Sequence, residues 1–183
     1  MVDLFDGVRI LPCKVFDTKL ATSVQQVITA IHWASDNGAE IICLCLSTPH
    51  DRFVPALYAA CAYARGRGTW LIAAASNRHE ASFPAQFDTV VGVESVAAKS
   101  PAVLYARTRH AFRFVAAGNR GEQKETFNSY AAARVAGLGA ILLAASARGR
   151  GDDLETHLVR YAAQLHTLHL GQSPLTTRAR SKR

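Results

Sequence analysis

Apolar residues recur along this chain in two alternating patterns, short continuous runs and longer stretches with helical spacing. Residues 10–16 (ILPCKVF) form an apolar run with β-branched members, which predicts a buried strand. A helix follows, capped by Thr22 or Ser23, with Val24, Val27, Ile28, Ile31 and His32 at helical spacing and Asn37-Gly38 as its stop. Residues 40–46 (EIICLCL) are apolar at nearly every position, as a strand covered on both faces should be. Residues 51–65 predict a second helix closed by Gly66 and Gly68. Residues 69–75 (TWLIAAA) and 89–95 (TVVGVES) predict two more strands, and residues 112–115 a short fifth. Residues 128–145 read as a helix that is apolar nearly all round, through Val135, Leu138, Ile141, Leu142 and Leu143. After the breaker Arg148-Gly149-Arg150-Gly151, residues 152–169 predict a last, amphipathic helix. This alternation predicts an α/β fold in three layers, a parallel sheet with helices on both faces.

The 183 residues suffice for one domain with a sizeable core, read as residues 1–170 followed by a flexible basic tail, 171–183. Hydrophobic residues make up 49% and charged residues 19%, a balance that suits a soluble globular chain. No apolar run is read as a membrane span. The N-terminus MVDLFDGVRI carries two Asp and no basic region, unlike a secretory signal, so a cytoplasmic chain is expected. The net charge is 21 − 14 = +7, of which Arg178, Arg180, Lys182 and Arg183 supply four, leaving +3. No recognition motif or aromatic platform accompanies that tail, so a solvated segment is expected rather than a nucleic-acid contact. Cys13, Cys43 and Cys45 sit in strand-like runs and Cys61 in an alanine-rich helix, at spacings that match no zinc or CxxC pattern. Buried, reduced thiols are expected, with no disulfide, metal or cofactor.

Four blocks resemble the subtilisin-like serine proteases, the subtilases. KVFDTKLATSVQQVITAIHWASDNGAEIICLCLSTP is similar to the stretch running from a core strand, through a helix, into the strand that borders the substrate. WLIAAASN resembles the strand that ends in Ala-Ala-Gly-Asn, and SFPAQFDTVVGVESV the aromatic-Pro segment and Val-rich strand after it. FNSYAAARVAG is similar to the nucleophile segment Gly-Thr-Ser-Met-Ala-Ser-Pro-His-Val-Ala-Gly. The resemblance covers roughly 130 of the 183 residues. It implies that Asn77 occupies the oxyanion position and Ser129 that of the nucleophile. It also implies that the part carrying the catalytic Asp and His would lie before residue 1, as in a truncated, degenerate member. The departures are Phe127-Asn128 for Gly-Thr, Ala133-Arg134 for Pro-His, Ser76 for the glycine before the asparagine, and Ser47 and Thr48 for two glycines beside the substrate strand.

A nucleophilic serine needs a base within hydrogen-bond reach. The histidines are His32, His50, His79, His110, His157, His166 and His169, and no motif places one beside Ser129. Ser129 and Asn77 are therefore expected as remnants, whose ordinary roles are a helix cap and a turn residue. His157, His166 and His169 are expected in solvent, not on a metal. Strand addition of a peptide needs neither His nor Asp, since main-chain hydrogen bonds supply the affinity. The resemblance implies a groove between residues 20–22 and 45–47, which names Leu20, Ala21, Thr22, Cys45, Leu46, Ser47, Ser76 and Asn77 as peptide-binding residues. The expected function is an inactive subtilase-like protein that binds a peptide or an extended protein segment and presents a precursor peptide to a modifying enzyme. The alternative is a hydrolase subunit using Ser129 with Asp and His from another chain. Two packing expectations follow. Strand 10–16 should close directly onto strand 40–46, in a sheet ordered as the chain. A second copy, giving a homodimer, should cover helix 128–145, unless the last helix folds back through Leu154, Leu158, Tyr161 and Leu165.

Overall fold

Ser23 opens the first helix, α1 (Val24–Asp36), through a reciprocal pair of hydrogen bonds. Its Oγ accepts from the Gln26 amide at 3.2 Å, and Gln26 Oε1 accepts from the Ser23 amide at 3.1 Å. Thr22, the other candidate cap, donates its hydroxyl to Gln26 Oε1. Asn37 closes the helix and Gly38 turns the chain at a φ of +76°, a conformation that favours glycine. Replacing the cap with alanine, Ser23→Ala, should cost about 1 kcal/mol, read as a fall in melting temperature of about 3 °C.

The computed structural model describes residues 7–19, 21–78, 81–98, 104–106, 114–119, 125–146 and 153–170. Leu20, His79, His110, the breaker at 148–151 and the tail at 171–183 lie outside these residues. The strands are β1 (Ile41–Leu44), β2 (Trp70–Ala74), β3 (Val91–Val96), β4 (Leu104–Ala106) and β5 (Phe114–Ala117). They form one sheet in the order β1-β2-β3-β5-β4, parallel except for β4, which pairs antiparallel with β5. A single 3₁₀ turn, Asp51–Phe53, leads into α2 (Val54–Gly66). Helices α1 and α2 bury Val27, Ile31, Leu57 and Cys61 against Ile42, Leu44 and Leu71 on one face. On the other face, α3 (Asn128–Ser146) and α4 (Leu154–Leu170) bury Val135, Leu154 and Leu158 against Ile72, Val91, Val93 and Phe114. The three-layer α/β fold expected from the alternation is the fold observed.

Two packing expectations are corrected. Residues 10–16 form no strand; Ile10 is 52% exposed, and among the described residues β1 pairs only with β2. Pro12 contributes to this, because it removes a ladder donor, which an edge strand tolerates only where that position faces away from its neighbour. Between residues 7–16 and β1 lies a cavity of about 760 Å³, lined also by Val27, Ala30 and Ile31 of α1 and by Ala136, Ala140 and Leu143 of α3. The sheet does not follow chain order either, since β4, unforeseen in the sequence, takes the far edge beyond β5. Helix α3 is, by its 19-residue length and its composition, apolar enough to cross a membrane. It packs instead on β1, β2, β3 and β5, with α4 against it.

That last contact is the folding-back weighed as the alternative to a second copy. Leu154 and Leu158 are fully buried and Tyr161 partly so; Leu165 lies where only the backbone is described. His157 is not simply solvated. Ser146 Oγ donates to Leu142 O at 2.7 Å, so His157 Nε2, 2.8 Å away, donates to that Oγ and ties the end of α3 to α4. For His166 and His169 likewise only the backbone is described.

Candidate functional site

At the carboxyl ends of β2 and β3, one buried side chain draws three segments together. Asn128, the first residue of α3, is 7% exposed. Its Oδ1 accepts from the Ser95 amide at 2.7 Å, while its Nδ2 donates to Ala75 O at 3.0 Å and to Ser76 O at 3.1 Å. Its own amide donates to Asn77 Oδ1 at 3.1 Å. This leaves the NH₂ of exposed Asn77 as a donor toward the surface. Ser129 follows directly, half-buried at the start of the helix. The structure thus brings together Ser76, Asn77 and Ser129, and the residue that joins them is one the sequence registered only as a departure from Gly-Thr. Asparagine at a helix start was the available signal.

The neighbouring contacts fix the same loops. Ser76 N donates to Ser82 Oγ at 2.8 Å, and Thr48 and Phe83 exchange both backbone hydrogen bonds at 2.9 Å. Arg134 donates to Ala117 O and, at 2.8 Å, to Asn119 O, holding the end of β5 beside α3. Gly118 lets that end pass close to Phe127, whose amide donates to Gly118 O at 3.0 Å.

Cys45 lies just past the end of β1, with Sγ 3.5 Å from the carbonyl oxygen of Ser129. Its sulfur also stands 3.8 Å from that of Cys43. The Cys43 thiol donates to it and lowers the Cys45 pKa from 9.0 to about 7, against the effect of burial. Cys43 moves the opposite way, well up, through the hydrogen bond it donates, its burial and the charge on Cys45. Uniform burial of the cysteines is therefore corrected. Cys61 is buried and its pKa is pushed up to about 12 by desolvation, Cys43 is half-buried, and Cys13 and Cys45 are exposed. β1 ends at Leu44, two residues before the end of its apolar run, and Cys45 lies just beyond it.

Ser47 is exposed, and Leu46 packs partly against the α1–α2 core. Ala21 is exposed and Thr22 half-buried; no hydrogen bond between described residues links either of them to residues 45–47. The histidines whose side chains are described are engaged elsewhere. His32 stacks on Tyr63, His50 sits edge-on to Phe53, and His157 bonds Ser146. No group of three or more His, Cys, Asp or Glu suited to a metal occurs among the described residues.

Comparison with solved structures gives the prenylagaramide maturation protease PagA as a similar fold, with a TM-score of 0.53 at 23% identity. The match covers 77% of this chain, and the chain spans 57% of that protein's structure. No curated protein matches the sequence. The model of the subtilase family (Peptidase_S8) matches residues 2–176, nearly the whole chain that carries the Asn77–Asn128–Ser129 cluster, and the chain belongs to that family.

Proposed function

We propose that this subtilase-family chain binds an extended peptide without turning it over. The observation that carries the reading is the Asn128 junction, which keeps Ser76, Asn77 and Ser129 in one frame beside the backbone leaving β1. That frame offers main-chain groups and an amide donor to a strand-like ligand. It offers Ser129 no described histidine, and a serine without a base within reach is a poor nucleophile. Residues 21–22 and 45–47 serve as the walls, with Ser76 and Asn77 at the end. The ligand is a peptide or an extended protein segment, which this chain presents to a modifying enzyme. Similarity to a maturation protease supports a precursor peptide as that ligand.

The test pairs turnover with binding. Fluorescein-casein and a short acyl ester should release no product above buffer. A labelled random nonapeptide pool should bind in the micromolar range, equally to the parent and to Ser129→Ala. An ester burst that disappears in Ser129→Ala would overturn the reading.

One observation favours a second reading, in which another polypeptide supplies the Asp and His. The cavity of about 760 Å³ beside the open edge of β1 lies at the level of the sheet and between its helical layers. An inserted strand would find backbone partners there. On this reading a fluorophosphonate probe labels Ser129 only when the second chain is co-purified.

A further inference from the structure

Cys43 and Cys45 are two positions apart on extended chain, so their side chains project to the same side. Their sulfurs are already within 3.8 Å, and both thiols are free. Two residues of extended chain span about 6.6 Å, while a disulfide holds its Cβ atoms roughly 3.5–4.5 Å apart, so the chain must tighten at Leu44 to close the bond. Cys45 lies past the end of β1, where no ladder partner among the described residues opposes that movement. One sulfur is exposed at the site, against the carbonyl of Ser129, and the other is half-buried behind it. An exposed attacking sulfur with a shielded sulfur in reach is the geometry of two-step thiol–disulfide exchange.

We propose that Cys45 and Cys43 act as a dithiol that reduces an accessible disulfide, on a peptide or a small molecule, brought to this site. The Cys45 thiolate attacks one sulfur of the substrate, forming a mixed disulfide and releasing the other sulfur as a thiolate that takes a proton from water. Cys43 then gives its proton to solvent and attacks Cys45 Sγ. The Cys43–Cys45 bond forms, and the second substrate sulfur leaves as a thiol. The substrate gains two electrons and the cysteine pair loses the same two; an external thiol such as glutathione returns the pair to its reduced form. Cys61 cannot take part, being fully buried in the α1–α2 core. Cys13, exposed and with its pKa raised by desolvation, is the internal control. This activity does not rest on peptide binding, because a small disulfide tests it without the groove.

The probe is glutathione disulfide at pH 7, applied to the full chain and followed by mass mapping of digested peptides. In the parent, Cys43 and Cys45 should lose two hydrogens together and keep no glutathione. Cys43→Ser should accumulate glutathione on Cys45, and Cys45→Ser should leave Cys43 unmodified. If Cys43→Ser melts early, Cys43→Ala serves the same arm, and the parent alone already decides the first. A thiol of pKa about 7 is about half thiolate at pH 7, against about 1% for an ordinary thiol of 9.0. Lower intrinsic nucleophilicity takes back part of that gain, so Cys45 should react roughly sixfold faster than an ordinary exposed thiol. A lasting glutathione adduct on parental Cys45, or reaction of Cys13 as fast as Cys45, would overturn the proposal.

Discussion

Asn128→Ala should lower the stability of the protein by roughly 3–5 kcal/mol and dismantle the junction at the strand ends. Truncation leaves the Ser95 amide and the carbonyls of Ala75 and Ser76 without their partner in a site that is 7% exposed. Each buried group left unpaired costs about 1–3 kcal/mol, with some relief where water can enter. The melting temperature should therefore fall by about 10 °C. The Ser95 amide should also exchange with deuterium faster than its neighbours in β3. Asn128→Asp offers no rescue, because it keeps the acceptor for Ser95 but sets a carboxylate against two carbonyl oxygens. A melt of Asn128→Ala within 2 °C of the parent would show that the junction does not hold these segments.

Gly118→Ala should be nearly as damaging, for a steric reason. A methyl carbon at this position would lie 2.3 Å from Ser95 Cβ and 2.8 Å from Phe127 O. Neither atom is the free end of a flexible side chain, so the backbone of one segment must move. Overpacking of this kind costs typically 1–3 kcal/mol, and about 3 is expected where two contacts are violated together. The displaced segment is the one that delivers Asn128 and Ser129, since the Phe127 amide is bonded to Gly118 O. Pairing the change with Ser95→Gly removes the shorter contact and should recover part of the loss, leaving the one with Phe127 O. Denaturant titration of the single and double variants measures both terms. Equal midpoints for Gly118→Ala and the parent would refute the argument.

The layers were legible in the sequence because strands covered on both faces must be apolar throughout, and Ile41–Leu44 and Trp70–Ala74 are. The start of α1 was legible too, because capping is local chemistry, settled by Ser23 and Gln26 within one turn. What failed depended on neighbours far along the chain. Residues 10–16 have the apolar content of a strand, yet pairing is decided by what lies alongside, and Pro12 takes away one donor that such pairing could use. The three residues of β4 are too few to show a period. At the site, Ser129 and Asn77 follow from the family resemblance, but the sequence could not say that Asn128 turns inward to bond the ends of two strands. The exposure of Cys45 depends on where β1 stops, and the bond of His157 on Ser146 of another helix, neither of which a local apolar pattern encodes.

The strap formed by residues 7–16 has a bearing on how this chain behaves at high concentration. An apolar strand with one free edge, such as Ile41–Leu44, is a template for pairing with strands of other molecules, the first step of ordered aggregation. The strap stands over that edge without pairing to it, and it carries two features that resist further β-addition, the missing donor of Pro12 and the exposed charge of Lys14. A strand from another copy would have to displace this strap before pairing, which gives it the place of a gatekeeper at the open edge of the sheet.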